Sequence, residues 1–166
     1  MIKLEALQLR QLAAGALRQL AVEDTVGVTE VHELDDGSWF VDFEDRSEDT
    51  RFPGFAVAIE PAWSADEAAR ALRIELRAKL WICPLCQRRS RIRRIVDREV
   101  FRVECGRCGR FEIDSELLDH LRSGYEDNDS SVVDEIPRLA ALAARAETPL
   151  YLSSANWRLA GNEPLQ

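Results

Sequence analysis

The chain has 166 residues, 46% of them hydrophobic and 31% charged, with a net charge of −8. That length suits one domain or two small ones, and no run reaches the ~18–20 apolar residues that a membrane-spanning helix needs. The excess of acid argues against nucleic acid and anionic membrane surfaces as partners of the chain as a whole.

The opening Met1-Ile2-Lys3-Leu4-Glu5 has neither the basic start nor the apolar stretch of a secretory signal, so the expectation is a cytoplasmic protein with reduced thiols. A helix is predicted over residues 5–21, where Ala6, Leu9, Ala13, Leu17 and Leu20 fall on one stripe at helical spacing. The period then changes to two. Val26, Val28 and Val31 precede the turn Asp35-Asp36-Gly37, after which Trp39, Val41 and Phe43 alternate with Phe40, Asp42 and Glu44. An Asp-Gly turn between such runs signals a hairpin. A third strand is expected over residues 50–59, carrying Phe52, Phe55, Val57 and Ile59, with Pro53-Gly54 marking a bulge or an edge. Ser64 and Glu67 form a capping box that opens a helix. Ala65, Ala68, Leu72, Leu76 and Leu80 lie on one face of that helix, and Arg70, Arg73 and Arg77 on another.

Residues 1–80 thus read as an α-β-β-β-α domain. The order is similar to that of double-stranded-RNA-binding domains, which open their last helix with lysines. Here Ser64-Ala65-Asp66-Glu67 stand in that place, in a segment of net charge −7, so phosphate contact is not expected of it.

The next segment holds all four cysteines. Cys83-Pro84-Leu85-Cys86 is separated by 18 residues from Cys105-Gly106-Arg107-Cys108. Two residues between paired cysteines let a tight turn aim both sulfurs at one ion, and the gap admits an out-and-back hairpin. Residues 91–96 and 100–104, with Asp97-Arg98 between them, are the expected hairpin, and Phe111-Glu112-Ile113 a third strand. The pattern resembles zinc ribbons with rubredoxin-type knuckles over about residues 81–113. The second knuckle is the closer match, while the first carries Gln87 where such knuckles usually have glycine. The expected cofactor is one structural Zn²⁺ held by Cys83, Cys86, Cys105 and Cys108. Four thiolates fill the tetrahedron and leave no position for a catalytic water.

Other chemistry is sparse. His32 reads as a solvated or core-edge strand residue, and His120 sits on a separate helix with no ligand spacing to it. Asp42, Glu44, Asp45, Glu48 and Asp49 could bind a hard cation, but they read first as a solvated hairpin face. No nucleophile elbow, phosphate-cradling loop or HExxH motif is present, so no enzyme activity is expected.

A helix is predicted over residues 115–122, ended by Gly124, then an acidic mobile loop over residues 126–131. A further helix over residues 138–146 follows Pro137, and Leu150-Tyr151-Leu152 can add a strand. Residues 161–166 are expected to fray.

Charge is distributed unevenly: residues 1–80 carry −7, residues 81–111 carry +6, and residues 112–166 carry −7. The basic island comprises Arg88, Arg89, Arg91, Arg93, Arg94, Arg98, Arg102, Arg107 and Arg110, interleaved with Trp81, Phe101 and Phe111. Arginine grips phosphate with a planar fork and is also enriched at protein interfaces. The expected class is α+β, with domains at 1–80, 81–113 (the ribbon) and 114–166 (a helical tail packed on it). The expected function is a zinc-stabilised protein-interaction or adaptor module whose partner is another protein. The alternative is a nucleic-acid-binding accessory or regulatory protein that uses the arginine face.

Overall fold

The computed structural model describes residues 3–47 and 53–159. They form two compact α+β units that divide between Leu80 and Trp81. Among the described residues, no helix is long and apolar enough to cross a membrane.

In the first unit, α1 (Ala6–Gln19) is followed by β1 (Val26–Glu33), β2 (Trp39–Asp45), β3 (Gly54–Ile59) and α2 (Ala65–Lys79). The strands form an antiparallel sheet in the order β1-β2-β3. The start of the third strand expected over residues 50–59 falls partly outside the described residues. Alternation along β2 sends Trp39, Val41 and Phe43 inward with Val57 and Ile59 of β3. Those side chains meet Leu9, Ala13 and Leu17 of α1 and Leu72 and Leu76 of α2 in a shared apolar interior. Phe55 stacks on Phe43, ring centroids 5.3 Å apart. Ser64 caps α2, its hydroxyl accepting from the Glu67 amide at 3.3 Å while the Glu67 carboxylate accepts the Ser64 amide at 2.7 Å. One assignment changes. Arg77, whose spacing places it with Arg70 and Arg73 on a face apart from the apolar stripe, is 6% exposed, whereas Arg70 is exposed and Arg73 half-buried.

In the second unit, β4 (Arg91–Arg94), β5 (Val100–Cys105) and β6 (Gly109–Asp114) form an antiparallel meander. Then come α3 (Ser115–Glu126), α4 (Ser130–Val133), α5 (Ile136–Arg145) and β7 (Leu150–Leu152). Strand β7 returns to pair with β6 in parallel, giving the sheet order β4-β5-β6-β7. Ile92, Val103, Phe111 and Ile113 on the inner face pack with Leu117, Leu121, Leu139, Ala143 and Trp157 into one buried cluster that also contains Cys83, Cys105 and Cys108. Asp114 caps α3 through the Leu117 amide at 2.7 Å and also accepts the Ser154 amide at 3.0 Å. This ties the segment after β7 to the start of the helix.

Two expectations for this unit change. The α3 helix runs through Gly124 to Glu126 instead of ending at the glycine. Gly124 is there for space, since a Cβ on it would meet the Val132 side chain at 2.6–2.8 Å. The acidic stretch 126–131 is not simply a loop either. Asp129 accepts the Ser131 amide at 2.9 Å and starts the single turn α4, which seats Val132 in the core. Residues 161–166, expected to fray, lie outside the described residues. Gly124→Ala is expected to destabilise the second unit by about 1–3 kcal/mol through overpacking against Val132. Denaturant melts monitored by tryptophan fluorescence measure it, and the double variant Gly124→Ala/Val132→Ala should recover part of the loss.

Candidate metal centre

The first cysteine pair sits in a small hairpin ahead of β4. Ile82 bridges Arg89, the Cys83 amide donates to the Arg88 carbonyl at 2.7 Å, and the Gln87 amide donates back to the Cys83 carbonyl at 2.9 Å. Gln87 has φ +58°, a left-handed conformation that costs a side-chain-bearing residue about 1–2 kcal/mol. Its side-chain amide compensates by donating to the Pro84 carbonyl at 3.2 Å and the Cys83 carbonyl at 3.4 Å. The second pair occupies the β5–β6 turn, where Cys105 pairs with Gly109 at φ +76°. The residue following each Cys-x-x-Cys is therefore left-handed. Glycine supplies that freely at one knuckle, and a glutamine held by its own side chain supplies it at the other.

These turns bring the Sγ atoms of Cys83, Cys86, Cys105 and Cys108 within 4.8 Å of one another, and the four can hold a metal ion. Cys86 and Cys105 approach to 3.4 Å, close to the ~3.8 Å between sulfurs around a tetrahedral ion with bonds of about 2.3 Å. Cys83 and Cys108 are fully buried and Cys105 nearly so, while Cys86 is half-buried. Cys86, the one cysteine of the four that is not buried, lines with Cys108 a cleft of about 450 Å³ shared with Leu85, Arg107, Tyr125, Ile136 and Ala140.

The thiols are electrically unequal. The Cys83 thiol donates to Cys108, Cys86 and Cys105 add to this, Arg107 contributes its positive charge, and the Cys108 pKa falls to about 6. That same hydrogen bond, with burial, holds the Cys83 thiol far above its ordinary value. Burial pushes Cys86 up to about 11. Without a cation the cluster thus keeps Cys83 and Cys86 protonated beside a Cys108 that ionises readily. Ionising Cys83 and Cys86 as well needs a positive ion among the sulfurs, and the donor set fits a soft or borderline metal.

No protein-family model, curated protein or solved structure matches the chain. Its chemistry is therefore read from its own geometry.

The nine arginines of the basic island fall into three groups. Arg91, Arg93, Arg102 and Arg110 share the outer face of the β4–β7 sheet, by register with Glu104, Glu112 and Tyr151. Arg88, Arg89 and Arg107 belong to the knuckles, and Arg94 and Arg98 flank the tip of the β4–β5 hairpin. On the outer face Arg102 pairs with Glu112 at 2.8 Å and Arg110 with Glu104 at 3.8 Å.

The hairpin carboxylates do not form one face. Asp45 is buried and accepts the Ser47 amide at 3.1 Å, and Glu44 lies 3.8 Å from Arg46. Glu48 and Asp49 lie outside the described residues. His120 packs edge-on against Trp157 with centroids 5.7 Å apart. His32 and Asp42, on different strands, come together at 3.2 Å. Residue spacing within either strand could not have shown that pairing.

Because three of the sulfurs line the interior of the second unit, Cys105→Ser should release the metal and open the whole unit to protease. Limited proteolysis is expected to cut throughout residues 81–159, helices included, while residues 3–47 and 53–80 remain protected. Metal affinity should also fall as pH falls, since bound sulfurs are deprotonated. With Cys83 and Cys86 both protonated at neutral pH in the free protein, binding releases at least two protons. Affinity should then drop about 100-fold per pH unit, and more steeply below about 6 as Cys108 joins them. Competition against a chromophoric chelator at several pH values measures the slope.

Proposed function

We propose that the ion is zinc, that residues 81–113 form a zinc ribbon around it, and that the protein is a non-enzymatic, zinc-stabilised protein-interaction module of a reducing cytoplasm. Four thiolates complete a tetrahedron and leave the ion no open position, which suits a structural role. Apparent binding energies of such ions, ~10–16 kcal/mol, are large enough to fold a small unit by themselves.

The observation that carries the interaction reading is the outer face of the β4–β7 sheet. Its rows are Arg91-Glu104-Arg110 and Arg93-Arg102-Glu112-Tyr151, a mixture of both charges, alternating in the first row, with one aromatic at the side. Every arginine in those rows is exposed. A phosphate track would want unopposed cations; here Arg93 and Arg102 do stand side by side, but Glu104 lies between Arg91 and Arg110, and Glu104 and Glu112 engage Arg110 and Arg102. Mixed charge of this kind gives specificity for a protein surface with a carboxylate opposite Arg93.

Desalted protein prepared without chelator should carry one zinc per chain by elemental analysis. Iron at that stoichiometry would overturn the choice of metal. Arg93→Glu should abolish capture of a protein partner from nuclease-treated lysate while zinc content and melting stay unchanged. Binding of DNA or RNA at physiological salt, steeply salt-dependent and lost in Arg93→Glu, would replace this reading with a nucleic-acid one.

A further inference from the structure

The outer face of the first unit carries a second constellation that the cysteine site does not involve. Strand β1 pairs Val26 with Asp45 and Val28 with Phe43, both directed at the interior, and then slips by one residue, so that Glu30 pairs with Asp42 and His32 with Phe40. Without that bulge, alternation would turn Glu30 and His32 toward the core along with Val26 and Val28. With it, both side chains join Asp42 on the open face, a re-aiming that bulges commonly produce.

We propose that Glu30, His32 and Asp42 form a divalent-cation site. One ligand atom from each lies within 4.8 Å of the others. His32 Nδ1 stands 3.2 Å from Asp42 Oδ2, near the ~3.0 Å that separates adjacent donors around an ion bound at about 2.1–2.2 Å. Phe40 lies beside the imidazole, centroids 5.8 Å apart and tilted by 45°, which limits the ring's orientations.

Electrostatics favours an ion here. Glu30 and Asp42 are directly opposite across two strands, and like charges in that relation destabilise a sheet. Among the described residues, no lysine or arginine pairs with either of them. His32 reaches Asp42 alone, and a cation among the three would relieve the repulsion. One imidazole and two carboxylates make a borderline N/O set suited to Mn²⁺, Co²⁺ or Zn²⁺. The side chains of His32 and Asp42 are 42% and 31% exposed, so water completes the coordination shell and the ion exchanges with solvent. Three protein ligands on one face leave the remaining positions open to an anionic ligand, unlike the closed cysteine site.

Mn²⁺ tests this without disturbing the cysteines, because it is hard and lowest in the affinity series, and so does not displace a thiolate-bound ion. Metal-loaded full chain, labelled with ¹⁵N and titrated with Mn²⁺, should lose amide signals first at Glu30, His32, Asp42 and their strand neighbours. The loss should saturate at one ion per chain. His32→Ala and Asp42→Asn should each weaken binding by at least about tenfold, with melting and the metal content of the cysteine site unchanged. Broadening centred elsewhere, none at millimolar Mn²⁺, or equal affinity in a folded His32→Ala or Asp42→Asn variant would overturn the proposal.

Discussion

Four sulfur atoms crowded within 4.8 Å cannot all be charged unless a cation lies among them, and the second unit is organised around that constraint. The knuckles supply backbone turns that converge the sulfurs. Every layer beyond then uses the same cysteines as apolar interior: Phe111 and Ile113 of the sheet, Leu117 and Leu121 of α3, Leu139 and Ala143 of α5. An ion held there would be less an ornament on a finished fold than the centre of its core. The hydrogen bond between Cys83 and Cys108, which raises the first and lowers the second, and the burial that raises Cys86 are parts of one arrangement that a bound cation would balance.

The first unit obeys a different constraint, the alternation of its strands against two helices. Trp39, Val41 and Phe43 face inward because β2 stays in phase along its length. Strand β1 does not, and its bulge decides which polar groups meet on the open side. The slip keeps Glu30 and His32 out of an apolar interior, where they would lack partners.

Features encoded locally were legible from residue order. The Ser64–Glu67 capping box, the alternation around Trp39 and the cysteine pairs each depend on neighbours within a few positions. What escaped depended on approach through space. Gly124 has a helix stop's composition, yet Val132 packing on it is what requires the missing Cβ. Arg77 follows the arginine spacing of α2 but is buried where Arg70 is exposed. The neighbour of β7 and its parallel direction follow from where α3, α4 and α5 bring the chain back. The trio Glu30, His32 and Asp42 was hidden because a one-residue bulge breaks the phase from which strand faces are read.

The parallel strand β7 has a consequence for the order in which this protein assembles during synthesis. Both cysteine pairs, and the meander β4 to β6 that joins them, are close in sequence, so they can close as soon as residue 114 clears the ribosome. Phe111 must then wait for Leu150, its partner across three intervening helices. Until that segment arrives, the far edge of β6 offers unpaired backbone groups to any other chain nearby. An ion captured early by the four cysteines would hold β6 in register through that interval, limiting the alternative pairings open to a nascent chain.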